Sequence, residues 1–532
     1  MVEGIHHDQS VEVDLTIGIK QQNTKELEDF VMQVSQPDHQ NYGKYLSFQE
    51  VKDMVSPEQE SIEAVQNWLE SEGVTNHYLT NSGDFIKASV STGVAEKILD
   101  VKYHRFIHKQ SKMSFIRSMD PYTVPDEVSK HIDFIGGVNH LPQMPESLPP
   151  KAKKSIEGLR FPFDYDFEGM ANNRTDPFLS PHLIQRAMNV PSEVMGNCHE
   201  DNSQAIAQFL KEYFSSDDLE YFQKKFKLPR SHISRMVGFN EEDSPGIETA
   251  LDIQYIMAMA PQAPTWIVSV SGLHEGQEPF LEWLVNISSM PNLPLVHSIS
   301  YGDDENSIDR SYTERVDIEF KKYAAMGRTI VFSSGDSGVG CSETCDHYVP
   351  GWPASSSYVL SVGGVIMKRT ADNHMIGHQI SGGGFSNYFS RPAYQDNDVQ
   401  YYLDNYVSDY QTRFFNSNGR GYPDISSFSR SVIIAHKGNL IPIGGTSASA
   451  PIIAGMLTLI NNQRLYNSQP PIGFFNPLLY KIVREHPDAV YDIVDGENSF
   501  HCCDGFTSSP GWDPVTGWGV PNMRNLLKYT TQ

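Results

Sequence analysis

The stretch Ile443-Gly444-Gly445-Thr446-Ser447-Ala448-Ser449-Ala450-Pro451 runs directly into the apolar residues 452–460. Two glycines punctuate the chain, and the apolar run after Pro451 reads as a buried helix. A serine after a glycine turn at the start of such a helix has backbone N–H groups close by, and these can bind a developing oxyanion. Ser447 is the candidate nucleophile. A helix N-cap serine is the bland alternative and would win for a Gly-Ser pair alone, but Gly-Thr-Ser-x-Ser-x-Pro is far more specific.

A serine nucleophile needs a base. None of the 19 histidines is followed by glycine, so the His-Gly context of a histidine base is missing. Instead, Ser244-Pro245-Gly246-Ile247-Glu248-Thr249-Ala250-Leu251-Asp252 reads as a Ser-Pro helix start followed by two carboxylates at i, i+4 on one helical face. A solvated acidic face is the usual reading of that spacing. The neighbours Ile247, Leu251, Ile253, Ile256 and Met257 argue for a mostly buried helix, where two like charges are costly unless they share a proton or have a task. A third acid, Asp336, ends the apolar run 329–334 in Gly335-Asp336-Ser337-Gly338, where a loop-capping Asp is the plain alternative. A trypsin-like reading of Ser337 needs an all-β chain with an upstream catalytic His motif, and an aspartic-peptidase reading needs a second Asp-Ser/Thr-Gly copy. Neither is present.

The nucleophile segment resembles one shared by subtilisins and sedolisins, and the carboxyl pair in place of His-Gly points to the sedolisin (serine-carboxyl peptidase) family. Further matches follow in one order: Tyr42-Gly43-Lys44-Tyr45-Leu46, His274-Glu275-Gly276-Gln277-Glu278-Pro279-Phe280, Ser300-Tyr301-Gly302-Asp303-Asp304-Glu305 and Ser381-Gly382-Gly383-Gly384-Phe385-Ser386-Asn387. The resemblance implies that Glu248 is the general base, that Asp252 orients it, and that Asp336 sits protonated in the oxyanion hole. It implies release of tripeptides from free N-termini of unfolded polypeptides by an acid-acting enzyme made as a self-processing zymogen. A sedolisin-type endopeptidase is the close alternative, and a catalytically silent peptide-binding homologue is one of a different class. Retention of all four residues speaks against the silent homologue.

The resemblance also implies calcium. Asp492-Ile493 and Ser509-Pro510-Gly511-Trp512-Asp513 are similar to the family's calcium segment, with the side chains of Asp492 and Asp513 and the carbonyls of Ile493, Ser509 and Gly511 as ligands. Two carboxylates plus carbonyls in glycine-rich turns make the all-oxygen environment calcium prefers, although spacing alone reads as a turn. Two departures from the family stand out: Gly444, where serine is usual, and the adjacent Cys502-Cys503 pair. Of the five cysteines, the pair Cys341 and Cys345 is expected to be joined by one or two bridges to the pair Cys502 and Cys503, with Cys198 free; reduced, buried cysteines are the alternative.

Across 532 residues, alternating strand and helix patterns predict an α/β fold, a subtilisin-like parallel sheet with helices on both faces preceded by an α+β prodomain. Strands are expected at 85–90, 265–270, 295–300, 329–334 and 358–362, and helices at 25–34, 57–70, 278–287 and 313–326. A Pro-rich, aperiodic segment at 141–177 reads as a linker, which divides the chain into a prosegment, 1–174, and a catalytic domain, 175–532. The prosegment is the expected intramolecular inhibitor. A formal net charge of -25 argues against nucleic acid as a partner. That acidity fits a lysosome, another acidic compartment or secretion; no apolar stretch is long enough to span a membrane and no signal-peptide pattern opens the chain. Sequons stand at Asn173 and Asn286.

Overall fold

In a computed structural model that describes residues 9–107, 114–139, 177–270, 279–342, 344–368, 374–499 and 504–532, two sheets organise the chain. The sequon at Asn173, Cys502 and Cys503, residues 274–278 and all of the expected linker but Pro177 fall outside the described residues.

The N-terminal sheet is antiparallel, with strands β1 (Glu12–Ile19), β2 (His77–Leu79), β3 (Phe85–Ser91) and β4 (Ile132–Gly136) in the order β2-β3-β1-β4. Val13, Leu15 and Ile17 alternate inward from β1, the period-two signature of a sheet with one buried face. Helices α1 (Thr24–Ser35), α2 (Phe48–Val55), α3 (Gln59–Ser71) and α4 (Thr92–Leu99) accompany it, with one further turn of helix at Asp126–Ser129. Helix α2 begins at a capping box in which Ser47 and Glu50 satisfy each other's backbone N–H groups. That Ser-x-x-Glu signal was present in the sequence, yet no helix is expected there on periodicity.

The second sheet holds β5 (Gln204–Phe209), β6 (Ile233–Val237), β7 (Thr265–Val270), β8 (Val296–Ile299), β9 (Thr329–Ser333), β10 (Leu360–Met367), β11 (Met375–Gly377) and β12 (Ile425–Phe428). Its order is β11-β10-β9-β8-β5-β7-β6 with β12 beside β10, parallel throughout except for β10 with β11. The buried runs of β9 and β10 are what a strand covered on both faces requires. Chain order reverses at β5, which lies between β8 and β7, and such a switch point opens a crevice at the carboxyl ends of the strands. Helices α5 (Ile247–Met259), α6 (Pro279–Ile287), α7 (Arg310–Ala325) and α8 (Thr446–Tyr466) pack around this sheet.

Buried charges join the two units. Asp84, at the foot of β3, accepts from Arg315 Nη2 at 2.7 Å and from Lys322, both on α7, and Arg315 Nε lies 3.3 Å from Asp133. Arg315 and Lys322 also pair with Glu319, so no charge of this cluster is buried alone. No helix among the described residues is long and apolar enough to cross a membrane.

Candidate active site

Four acids and two serines arrive at one place from five elements or the turns after them. Glu212 lies three residues past the end of β5, Ser300 one past β8 and Asp336 three past β9, so adjacent strands deliver them to the same edge of the sheet. Helices α5 and α8 then bring Glu248, Asp252 and Ser447. These two helices approach closely because residue 455 is glycine: a Cβ there would stand 2.5 Å from the Met259 Cβ and 2.8 Å from the Ile256 carbonyl. Helix α5 is held from its far side too, where Gln254 brackets the Ala435 backbone at 2.7 and 2.8 Å and the Tyr255 hydroxyl donates to the Ile433 carbonyl at 2.7 Å.

The expected Ser-Pro start of α5 is corrected. The helix begins at Ile247 with Gly246 as N-cap and no side-chain cap from within the segment. A residue invisible to sequence reading does the capping: Glu212 Oε2 accepts the Glu248 N–H at 3.0 Å, and a Cβ on Gly246 would collide with that oxygen at 1.9 Å. The donors freed at a helix N-terminus favour an anion there. A carboxylate just past a buried strand was the available signal.

Asp252 is fully buried, and the Ser300 hydroxyl donates to its Oδ1 at 2.6 Å. The same hydroxyl lies 3.3 Å from the Ser447 carbonyl. That carbonyl is free because its helical partner four residues on would be residue 451, and Pro451 has no N–H. Glu248 Oε1 and Asp252 Oδ2 are buried without a partner. Burial drives the Glu248 carboxyl well above the usual glutamate range, and Asp252, Glu212 and Asp336 add to that rise, while a hydrogen bond from Ser447 opposes it. Asp252 is pushed up likewise by burial, against the Ser300 hydrogen bond, and Glu212 by burial against its backbone donors.

Ser447 occupies the first turn of α8, half-buried, with its hydroxyl 3.5 Å from the Ser300 carbonyl, at the limit of a hydrogen bond. Asp336 faces the same turn. Its Oδ1 accepts from the Thr446 N–H at 2.6 Å and from the Thr446 hydroxyl at 2.9 Å, while Oδ2 points past Gly445, where a Cβ would stand only 2.6 Å away. Gly445, at φ +137°, is therefore required twice, by its backbone and by the carboxyl beside it. Burial raises the Asp336 carboxyl, against the Thr446 hydrogen bonds. A raised carboxyl with one oxygen held and the other free can present a proton to a neighbouring oxyanion.

A serine hydroxyl served by a carboxyl pair in place of histidine is the mark of a serine-carboxyl peptidase. The comparisons agree: residues 2–141 match the Pro-kumamolisin activation domain and residues 174–471 the Subtilase family. Tripeptidyl-peptidase 1 of Dictyostelium discoideum is 56% identical over 98% of this chain and 89% of its own length, and that of Homo sapiens is 38% identical over 98% and 92%. The chain belongs to the sedolisin family. Pseudomonas sedolisin, a serine-carboxyl proteinase, shares the fold at TM-score 0.55 and 24% identity, over 67% of this chain and 98% of its own. As a sedolisin-type enzyme, the chain is a serine peptidase that activates itself from a precursor carrying its own activation domain.

Two of the expected metal ligands of this sedolisin, Asp492 and Asp513, accept backbone N–H groups of one C-terminal turn. Asp513 is fully buried, its carboxylate accepting from the N–H groups of Ser509 at 3.1 Å and of Val515 and Thr516 at 2.9 Å, and Asp492 Oδ2 accepts the Gly511 N–H at 2.9 Å. The Gly511–Asp492 bond thus ties the segment 492–493 to the turn 509–513. Burial drives the Asp513 carboxyl up to about 8, and Ser509 Oγ is buried without a partner. A carboxylate so reluctant to ionise, beside an orphaned oxygen, fits an oxygen-seeking cation.

Cys341 and Cys345 are both disulfide-bonded, and Cys198 is free. Their expected partners lie outside the described residues. Gly444 sits where a Cβ would come 3.1 Å from the Ser429 carbonyl, a tight but remote contact that touches none of the four acids.

Proposed function

We propose that the enzyme removes tripeptides from free N-termini of unfolded polypeptides in an acidic compartment such as the lysosome. The observation that carries the chemistry is the half-buried Ser447 hydroxyl hydrogen-bonded to Glu248, itself half-buried beside the buried Asp252. In this reading Ser447 Oγ attacks the scissile carbonyl carbon and its proton passes to the Glu248 carboxylate, which Asp252 and Ser300 hold in place. The Asp336 carboxyl donates to the oxyanion alongside the helix-terminal N–H of Ser447. Glu248 returns the proton to the departing amine as the C–N bond breaks, and water then releases the acyl group by the same route in reverse. Exopeptidase action is supported by the similarity to the tripeptidyl-peptidases 1. At about pH 4–5, near the titration range of a glutamate base, a free-N-terminus peptide is expected to lose its first three residues as one product, and its N-acetylated twin to stay whole. Cleavage of the acetylated peptide at internal bonds would mark an endopeptidase.

Residues 1–174 act as the prosegment and 175–532 as the catalytic domain in this account. Calcium is the cation proposed for Asp492 and Asp513, with the carbonyls of Ile493, Ser509 and Gly511, and it supplies positive charge that stabilises the C-terminal loop. The sign of its effect follows from Asp513. A carboxyl raised on folding contributes stability that is present below its unfolded pKa, near 4, and lost as pH climbs through about 8. Chelation is therefore expected to cost little at pH 4 and to lower the melting temperature at pH 7, whereas Asp513→Asn should make the melting temperature insensitive to chelator at both. Equal melting with and without chelator in the parent at pH 7 would remove calcium from the account.

A further inference from the structure

The motif Tyr42-Gly43-Lys44-Tyr45-Leu46 plays no part in the chemistry, yet it packs directly on the catalytic domain, in addition to the buried Asp84–Arg315–Lys322 cluster that joins the two units. The ring of Tyr45 lies between two glycines of the catalytic domain. A Cβ on Gly327 would stand 2.4 Å from Tyr45 Cδ2, and one on Gly473 would stand 2.3 Å from the Tyr45 hydroxyl oxygen. Both glycines have positive φ, +73° and +60°. The Tyr45 hydroxyl donates to the Pro471 carbonyl at 3.0 Å, and the Leu46 N–H donates to the Ala325 carbonyl at 3.0 Å. Next to it, Gly43 presses on Pro470, where a Cβ would come within 2.3 Å of Cγ, and Arg464 reaches the Tyr42 hydroxyl at 3.4 Å.

This cradle is far from the catalytic groups. Gly327 precedes β9, whereas Asp336 follows it, so the two mark opposite ends of the sheet. Along α8 the separation from Ser447 to Arg464 is 17 residues, about 25 Å at 1.5 Å per residue. An aromatic ring seated in a pocket that only glycine backbone can form, with its hydroxyl satisfied, has the character of an interface anchor. The exposed Asp38–Lys481 pair nearby, at 2.9 Å, adds little.

We propose that the Gly327–Gly473 cradle is a docking exosite for the activation domain, with Tyr45 as its anchor, and that it keeps the severed prosegment on the catalytic domain after the linker is cut. The proposal rests on the reading of the N-terminal domain as the enzyme's inhibitor, and adds to the buried Asp84 ion pairs a second hold away from the cleft. Mature enzyme then emerges by dissociation of a bound fragment.

The test uses the full-length precursor carrying Ser447→Ala, with a recognition sequence for an added peptidase placed between residues 140 and 176. After cleavage, size-exclusion chromatography over a dilution series at neutral pH reads the dissociation constant of the two halves. The parent and Tyr45→Phe should co-elute to similar dilutions. Tyr45→Ala and, separately, Gly473→Ala should weaken the complex at least about 30-fold, the scale of an anchor residue. Gly473→Ala leaves the activation domain untouched, so a misfolded Tyr45→Ala prosegment cannot account for both, and with Ser447 restored its mature form should turn over peptide as the parent does. Co-elution of both variants at the parent's dilutions overturns the exosite. Full peptidase activity in a cut, co-eluting complex that retains Ser447 would instead sink the inhibitor reading while supporting the docking.

Discussion

Ser447→Ala is expected to lower kcat/KM at least about ten-thousand-fold and to leave the precursor uncut on acidification. The size follows from what the hydroxyl alone supplies. In the proposed mechanism Glu248, Asp252 and Asp336 take a proton from one oxygen and stabilise charge on another, and without Oγ there is no bond for them to make. Fold and metal loop should survive, since the Ser447 hydroxyl makes only a marginal bond at 3.5 Å and a contact with Glu248. The precursor therefore separates catalysis from processing. Wild-type protein held at about pH 4 should release a fragment whose successor begins near Thr175, and the alanine variant should not. Release at the wild-type rate by purified Ser447→Ala protein would mean that another peptidase makes the cut.

Ser447, the carboxyl pair and Asp336 could be singled out in the sequence as neighbours-to-be because each sits in a local pattern: glycines before an apolar helix, i, i+4 carboxylates among apolar residues, an acid closing a buried strand. The parallel sheet was legible for the same reason, since β9 and β7 are continuous apolar runs bounded by turns. What escaped depends on tertiary approach. Glu212 caps α5 from 36 residues upstream. Ser300 joins Asp252 across 48 residues, and nothing in Ser300-Tyr301-Gly302 announces that its hydroxyl will face a carboxylate. Pro451 reads as a motif residue, but its effect, freeing the Ser447 carbonyl beside Ser300, appears only once α8 and β8 are side by side. The cradle of Tyr45 is the same kind of case, because glycines at 327 and 473 look like ordinary turn residues until a ring from elsewhere in the chain lies between them.

Glu248→Gln is expected to cut turnover at least about a thousand-fold while folding and the metal loop stay intact, and its pH behaviour separates a base from a merely structural acid. In the proposed mechanism, turnover in the parent needs Glu248 ionised and Asp336 protonated. Burial raises both carboxyls, so they titrate as members of one coupled cluster. A bell-shaped profile on the acid side follows, its limbs belonging to the carboxyl cluster rather than to single residues. Removing the Glu248 titration should flatten the acid limb of whatever activity is left. It should also change stability in a fixed direction. A carboxyl raised on folding stabilises the fold below its unfolded pKa, near 4.5, and loses that contribution as pH rises through its folded value. The glutamine variant is spared that loss, so its melting temperature should exceed the parent's near neutral pH and converge with it at about pH 4. Asp336→Asn makes the complementary test: an amide donates at every pH, so its alkaline limb should move upward. Full activity in Glu248→Gln, or a neutral optimum that persists in it, would overturn the serine-carboxyl assignment of these residues.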